Sequence, residues 1–165
     1  MMQEKKRKGV FAGTFDPPTL GHKAMIEDAL ALFDEVVVAV MVNPSKTPCF
    51  TAEQRKTMLA LDFSEEKRVR VIEFSGTVAE LLEKERTKIY IRGIRNGVDL
   101  DFENANFYAS KKLDPSLITV YLPCRQELLH ISSSMVRNSL QFGTPIDEYV
   151  SEKVKKYIHK TKERV

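Results

Sequence analysis

Gly13-Thr14-Phe15-Asp16-Pro17-Pro18-Thr19-Leu20-Gly21-His22 is the stretch that decides how this chain is read. An apolar run, Gly9-Val10-Phe11-Ala12, precedes it, and a helical pattern follows, with Met25, Ile26, Ala29, Leu30 and Phe33 on one face. Strand, tight turn and helix start in that order gather unpaired backbone N–H groups and the positive end of a helix dipole on one spot, which suits a phosphate. Thr14 adds a hydroxyl, Pro17-Pro18 stiffens the turn, and Gly21 admits a close backbone approach. His22 falls in the first helical turn, one turn on from Thr19, with its imidazole beside the same anion. A lone histidine at a helix start is usually idle. Here a Gly-Thr-Phe-Asp-Pro opening and a Thr-x-Gly-His ending stand together behind a strand, and that combination argues for a working site.

Outward from this stretch the chain alternates strands with helices. Glu35 to Val42 is apolar without alternation and rich in β-branched residues, as a strand buried on both faces requires. The loop Asn43-Pro44-Ser45-Lys46-Thr47-Pro48 follows, and Thr51-Ala52-Glu53-Gln54 is a capping box opening a helix to about Leu61. Val69 to Phe74 reads as a strand, Thr77 to Glu85 as a helix, and Ile89 to Ile91 as a strand ending at Arg92-Gly93-Ile94-Arg95. A helix from near Leu100 to Lys112 stops before Pro115, and Ile118 to Leu122 is a fifth strand. Ser132 to Ser134 can cap a helix to Gln141, ahead of Gly143 and Pro145, and a last helical pattern from Val150 to His159 lies in a C-terminal segment, 146–165. The pattern predicts an α/β fold: a Rossmann-like open parallel five-stranded sheet with helices on both faces. Ligands bind such sheets outside the strands' carboxyl ends, where each unusual polar cluster of this sequence falls.

At 165 residues and 42% apolar content the chain suits one domain, 1–165, with a single core. No apolar run approaches the ~20 residues of a membrane span, and the Met1-to-Lys8 start lacks the apolar stretch of a signal peptide. Cys49 and Cys124 match no metal-ligand spacing and point to a reduced compartment, so the chain reads as cytoplasmic. Three scattered histidines suggest no protein-built metal cluster. The net charge of +3 hides an uneven distribution: residues 1–8, a basic N-terminal tail, carry +3 and residues 151–165 carry +4, which leaves the body near −4. Nucleic-acid binding would need a basic face on the body, so the ends read as solvated tails.

Two familiar phosphate-binding patterns are missing. No G-x-G-x-x-G follows a strand, and Ser45-Lys46-Thr47 lacks the glycines of a P-loop. Lys46 sits in the loop after the second strand, flanked by prolines. Arg92 and Arg95 can grip separate phosphate oxygens with planar guanidiniums; the alternative is ion pairing with Asp99, Asp101 or Glu103. Ser132-Ser133-Ser134 offers hydroxyls and backbone donors together at a helix start. Cys49, Cys124, His130 and His159 read as structural or solvent-facing.

These clusters together resemble a known family. The Thr19-to-His22 ending is similar to the (H/T)xGH signature of the nucleotidylyltransferase superfamily. The order GTFDP, SK-x-P-x-F, RGIR and ISSSMVR, from Gly13 to Arg137, resembles bacterial phosphopantetheine adenylyltransferases. Carried over position by position, the resemblance implies that Thr14 and Phe15 touch the nucleotide and that Thr14 also reaches the acceptor phosphate. It implies His22 at the reacting α-phosphate, Lys46 and Arg92 on the phosphate of 4′-phosphopantetheine, and Val78 along the pantetheine arm. Gly93, Ile94, Arg95, Glu103, and Leu128, Leu129, His130, Ile131, Ser132, Ser133 and Ser134 would bind ATP. The implied reaction transfers AMP from ATP to 4′-phosphopantetheine with Mg²⁺, giving dephospho-coenzyme A and pyrophosphate, in a cytoplasmic homohexamer. The chain departs from the family at Asp99-Leu100-Asp101-Phe102-Glu103, where spacing favours Glu103 as the matching acid and Asp101 stands close. It departs again at Leu129-His130 and in its longer basic head.

A phosphate monoester is already a nucleophile at neutral pH, so the implied catalysis is positioning and charge stabilisation by His22, Lys46 and Arg92. Two separate phosphate-holding sets imply one in-line displacement in a ternary complex. A nicotinate mononucleotide adenylyltransferase or a cytidylyltransferase is the near alternative. A non-catalytic nucleotide sensor is the distant one, and it has no reason to keep both His22 and Lys46.

Overall fold

The computed structural model describes residues 6–162. Five strands, β1 (Lys8–Gly13), β2 (Glu35–Met41), β3 (Val69–Phe74), β4 (Ile89–Ile94) and β5 (Ile118–Pro123), form one sheet in the order β3-β2-β1-β4-β5. Every neighbouring pair is parallel, with Lys8 opposite Glu35 and Phe11 opposite Ile91. This is the open parallel five-stranded sheet expected from the alternating pattern.

The register explains why β2 has no polar side. Val36, Val38 and Val40 pack on one face with Met25, Ile26 and Ala29 of α1 (Leu20–Ala29) and Leu59 of α2 (Ala52–Asp62). Val37 and Ala39 pack on the other face with Leu81 and Leu82 of α3 (Val78–Glu85) and Phe107 of α4 (Gly97–Leu113). Burial on both faces is what a parallel strand covered by crossover helices demands. A third cluster joins α2 to α5 (Ser133–Phe142) and α6 (Glu152–Lys162) through Met58, Val136, Val154 and Ile158.

Several boundaries differ from the sequence reading. β4 runs on through Ile94, so Arg92 and Gly93 lie within the strand instead of following it. Parallel pairing of Arg92 with Tyr121 and Gly93 with Leu122 carries it past the polar residues that looked like its end. α4 begins at Gly97, capped by Asn96. The helix placed in 146–165 starts at Glu152, because residues 146–151 form the turn before it; residues 163–165 lie outside the described residues. The basic head is not all tail: Lys8 opens β1 and its ammonium lies between Glu35 and Glu85, while the Arg7 N–H donates to Asp34 at 2.7 Å. Residues 1–5 of that head lie outside the described residues.

At Gly93, β4 has no room for a side chain against α1. A Cβ there would stand 1.8 Å from Met25 Sδ, so the buried thioether occupies the space a side chain would need. Gly93→Ala should therefore lower stability by about 1–3 kcal/mol through overpacking. In a Met25→Ala background the same change should cost less than about 0.5 kcal/mol, as contacting residues couple. Urea unfolding of the four proteins reads the coupling.

Candidate active site

Crossovers from β1 to β2 and from β3 to β4 leave a crevice at the carboxyl ends of β1 and β4. A cleft of about 870 Å³ opens there. Its walls come from the turn after β1, the start of α1, the loop after β2, the end of β4, α4 and the start of α5.

The turn Thr14–Thr19 is tied down on several sides. Phe15 takes a left-handed backbone (φ 51°) and buries its ring. The Asp16 carboxylate accepts the N–H groups of Cys49 and Phe50, each at 2.8 Å. Arg137 donates to the Asp16 carbonyl at 2.7 Å and the Ser133 hydroxyl to that of Pro17 at 2.8 Å, which fixes the start of α5 beside the turn.

At the start of α1 a capping box is closed by a histidine in place of the usual Glu or Gln. Thr19 Oγ1 accepts the His22 N–H at 3.4 Å, and His22 Nδ1 accepts the Thr19 N–H at 3.1 Å. A ring nitrogen that accepts a backbone N–H carries no proton, so the neutral ring bears its hydrogen on Nε2. Removal from water, then the charges of Arg95 and Arg92, lower the His22 pKa from 6.5 to about 4. Phe15 packs edge-on against the ring, with centroids 5.0 Å apart. His22 is thus held neutral, oriented, and able to donate. The open donors of α1 are fewer than its position implies, since the Leu20 N–H bonds the Tyr149 carbonyl at 2.9 Å. Gly21, which lines the cleft, meets only Thr19 Oγ1 with an added Cβ, at 3.5 Å, so nothing within the chain itself demands glycine there.

The cleft brings together Thr14, Phe15, His22, Lys46, Arg92, Gly93, Arg95, Glu103, Ile131, Ser132, Ser133 and Ser134. It leaves out Ile94, Leu128, Leu129, His130 and Val78. Val78 packs partly buried against the core on the α3 side of the sheet, and Leu129 and His130 are exposed. Lys46 is exposed on a turn that the Asn43 side chain closes by accepting from Ser45 N (3.0 Å) and Oγ (2.6 Å). Both arginines are ion-paired. Arg92 donates through Nε to Glu103 at 2.8 Å, through Nη2 to the other Glu103 oxygen, and through Nη1 to the Ala12 carbonyl at 2.7 Å. Burial alone would lower the Arg92 pKa, but Glu103 and Tyr90 outweigh it and raise it. Arg95 holds Asp99 at 3.0 Å and keeps that carboxyl below its usual range. Asp101 is exposed and absent from the cleft wall. The three serines are not three equal donors. Ser132 caps Met135 N at 3.2 Å, Ser133 is bonded to Pro17, and Ser134 Oγ accepts from Arg137 at 3.0 Å. With the Met135 N–H taken by that cap, what α5 presents is the N–H groups of Ser133 and Ser134, which have no partner within the helix.

Sequence reasoning gave no role to Asp16, Arg55 or Arg137. The signal for Arg137 was its place three residues after Ser134; for buried Arg55 there was none short of the fold. Both cysteines line the cleft, and burial raises the Cys124 thiol pKa. Among the described residues no three His, Cys, Asp or Glu side chains come together for a metal. The carboxylates on the wall, Asp16, Asp99 and Glu103, are already bonded to N–H groups, so the donor set fits anions and offers a cation no ready ligands.

A family model described as cytidylyltransferase-like matches residues 10–139. A phosphopantetheine adenylyltransferase of Flavobacterium johnsoniae is 38% identical over 149 residues, which cover 90% of this chain and 97% of that protein. Another, from a Synechococcus species, is 40% identical over 141 residues, 86% of this chain and 89% of its own length. Among solved structures, a chain described as a nicotinate-nucleotide adenylyltransferase of Vibrio parahaemolyticus superposes with a TM-score of 0.72. It covers 94% of this chain and 93% of its own at 23% identity, which shows a shared fold alone.

A histidine held neutral in the fold makes stability depend on pH with a definite sign. The unfolded chain binds this proton first as pH falls, so the contribution is complete above about 6.5 and is lost between about 6.5 and about 4. Stability should fall there with an added slope of up to about 1.4 kcal/mol per pH unit. His22→Gln should remove that extra slope. Equal slopes for the two proteins in denaturant titrations between pH 5 and 6.5 would mean that His22 is not held neutral.

Proposed function

The chain belongs to the phosphopantetheine adenylyltransferase family, and we infer from that membership and from its cleft that it transfers AMP from ATP to 4′-phosphopantetheine, giving dephospho-coenzyme A and pyrophosphate. The observation that carries the reading is the convergence on one cleft of two helix starts, those of α1 and α5, with Lys46, Arg92, Arg95 and a neutral, donating His22. Such a cleft suits two phosphorylated ligands held side by side.

In this reading ATP lies against the start of α5, with Arg95 on its phosphates, and the acceptor phosphate lies toward Lys46 and Arg92. His22 Nε2–H donates to the α-phosphate, where negative charge grows as the acceptor oxygen attacks and pyrophosphate leaves in line. No general base is needed. Nor is His22 suited to attack phosphorus itself, because Nδ1 is engaged by Thr19 and Nε2 carries the proton. Mg²⁺ would arrive with the nucleotide and neutralise its phosphate charge.

The whole chain, 1–165, would act as one nucleotidylyltransferase domain, in the cytoplasm and assembled as a homohexamer. Exposed apolar side chains along α4 and β5, among them Tyr108, Leu113 and Ile118, support self-association. No helix among the described residues is long and apolar enough to cross a membrane.

Pyrophosphate release from ATP tests the acceptor. Reaction is expected with 4′-phosphopantetheine and none with pantetheine lacking its phosphate, since the attacking oxygen is then gone along with the group that Lys46 and Arg92 would hold. Equal or faster turnover of nicotinate mononucleotide would contradict the assignment. His22→Ala should lower kcat by about 10²–10³-fold, as the loss of one oxyanion-type donor does, with both ligands still bound.

A further inference from the structure

Asp16 and Arg55 take no part in the chemistry above, yet they are 7% and 3% exposed. Burying charge is costly unless every donor and acceptor is met, and here the partners are backbone groups of separate segments. Arg55 donates through Nε to the Phe50 carbonyl at 3.0 Å, and through Nη1 to the carbonyls of Thr14 at 2.6 Å and Met41 at 3.3 Å. Met41 ends β2 and Phe50 precedes the cap of α2, so one guanidinium holds both ends of the loop 42–49 and fastens them to the turn after β1. Asp16, from that same turn, holds the N–H groups of Cys49 and Phe50. Phe50 is thereby gripped at its N–H by one charge and at its carbonyl by the other. Lys46 stands four residues away, beyond Thr47-Pro48-Cys49, and is exposed at the edge of the cleft.

We propose that Asp16 and Arg55 are positioning residues for Lys46: they clamp its loop to the phosphate-binding turn and so set where its ammonium meets the acceptor's phosphate. The proposal rests on the reading of Lys46 as an acceptor-binding residue. It separates cleanly from a simple charge effect. A carboxylate on the wall of an anion-binding cleft repels its ligands, so neutralising Asp16 as a bare charge would tighten the acceptor. Loss of the clamp weakens it. The two accounts differ in sign.

The test is a double-mutant cycle on the full chain, with Asp16→Asn made alone and in a Lys46→Ala background. Asp16→Asn should raise KM for 4′-phosphopantetheine about tenfold, with the Kd for ATP moving less than about twofold. In the Lys46→Ala background the same change should move the acceptor KM less than about twofold, because the ammonium being positioned is gone. Arg55→Lys keeps the charge and loses the fork; it should show the same pattern, and it carries the cycle if Asp16→Asn does not fold. An equal penalty in both backgrounds, or an acceptor bound more tightly by Asp16→Asn, would overturn the proposal. An unchanged acceptor KM in Lys46→Ala alone would overturn the reading of Lys46 itself.

Discussion

Parallel pairing sets β1 between β2 and β4, and the helices that follow β1 and β4 leave on opposite faces of the sheet. The carboxyl ends of β1 and β4 therefore border a crevice that no crossover can fill. Everything chemical in this chain depends on that opening. The turn after β1 forms its floor, and separate segments are tied to it: the loop after β2 through Asp16 and Arg55, and the start of α5 through Ser133 and Arg137. The C-terminal layer serves the same end. Tyr149, ahead of α6, takes the Leu20 N–H through its carbonyl, while α6 packs Val154 and Ile158 against the cluster holding Met58 of α2.

How much of this could be read from the sequence depends on what kind of force placed each residue. The β-branched run of β2 and the capping box at Thr51 are local signals, and the elements fall where those signals put them. The end of β4 was illegible because Arg92-Gly93-Ile94 looks polar in a line of sequence. Only the sheet shows that Arg92 is shielded by Glu103 and that Gly93 makes room for Met25. Lys8 and Arg7 looked like solvated charge until Glu35, Glu85 and Asp34 came beside them through the fold. The cleft gathers most of the residues singled out beforehand, because a tight turn and helix starts leave local marks in the sequence. The buried pairings that hold it, Asp16 with residues 49–50 and Arg55 with the carbonyls of Thr14 and Met41, join positions 14–41 residues apart in sequence, and no local pattern marks such links.

The cleft's electrostatics favour a particular route for the transfer. Its carboxylates are engaged by backbone N–H groups or arginines, so the wall presents donors and cations to whatever enters. His22 is the centre of that arrangement. Thr19 fixes its tautomer, and burial, helped by the nearby arginines, keeps it uncharged while it remains a donor. A group in that state can stabilise charge on an α-phosphate, but it is poorly prepared to take the AMP itself. The central claim is therefore a single displacement with both phosphorylated substrates present at once. The stereochemical course at phosphorus tests it most directly. With ATP carrying a chiral α-thiophosphate, one in-line transfer to 4′-phosphopantetheine inverts the configuration, and inversion is the result expected here. Retention, the mark of two successive displacements through an AMP–enzyme adduct, would contradict it.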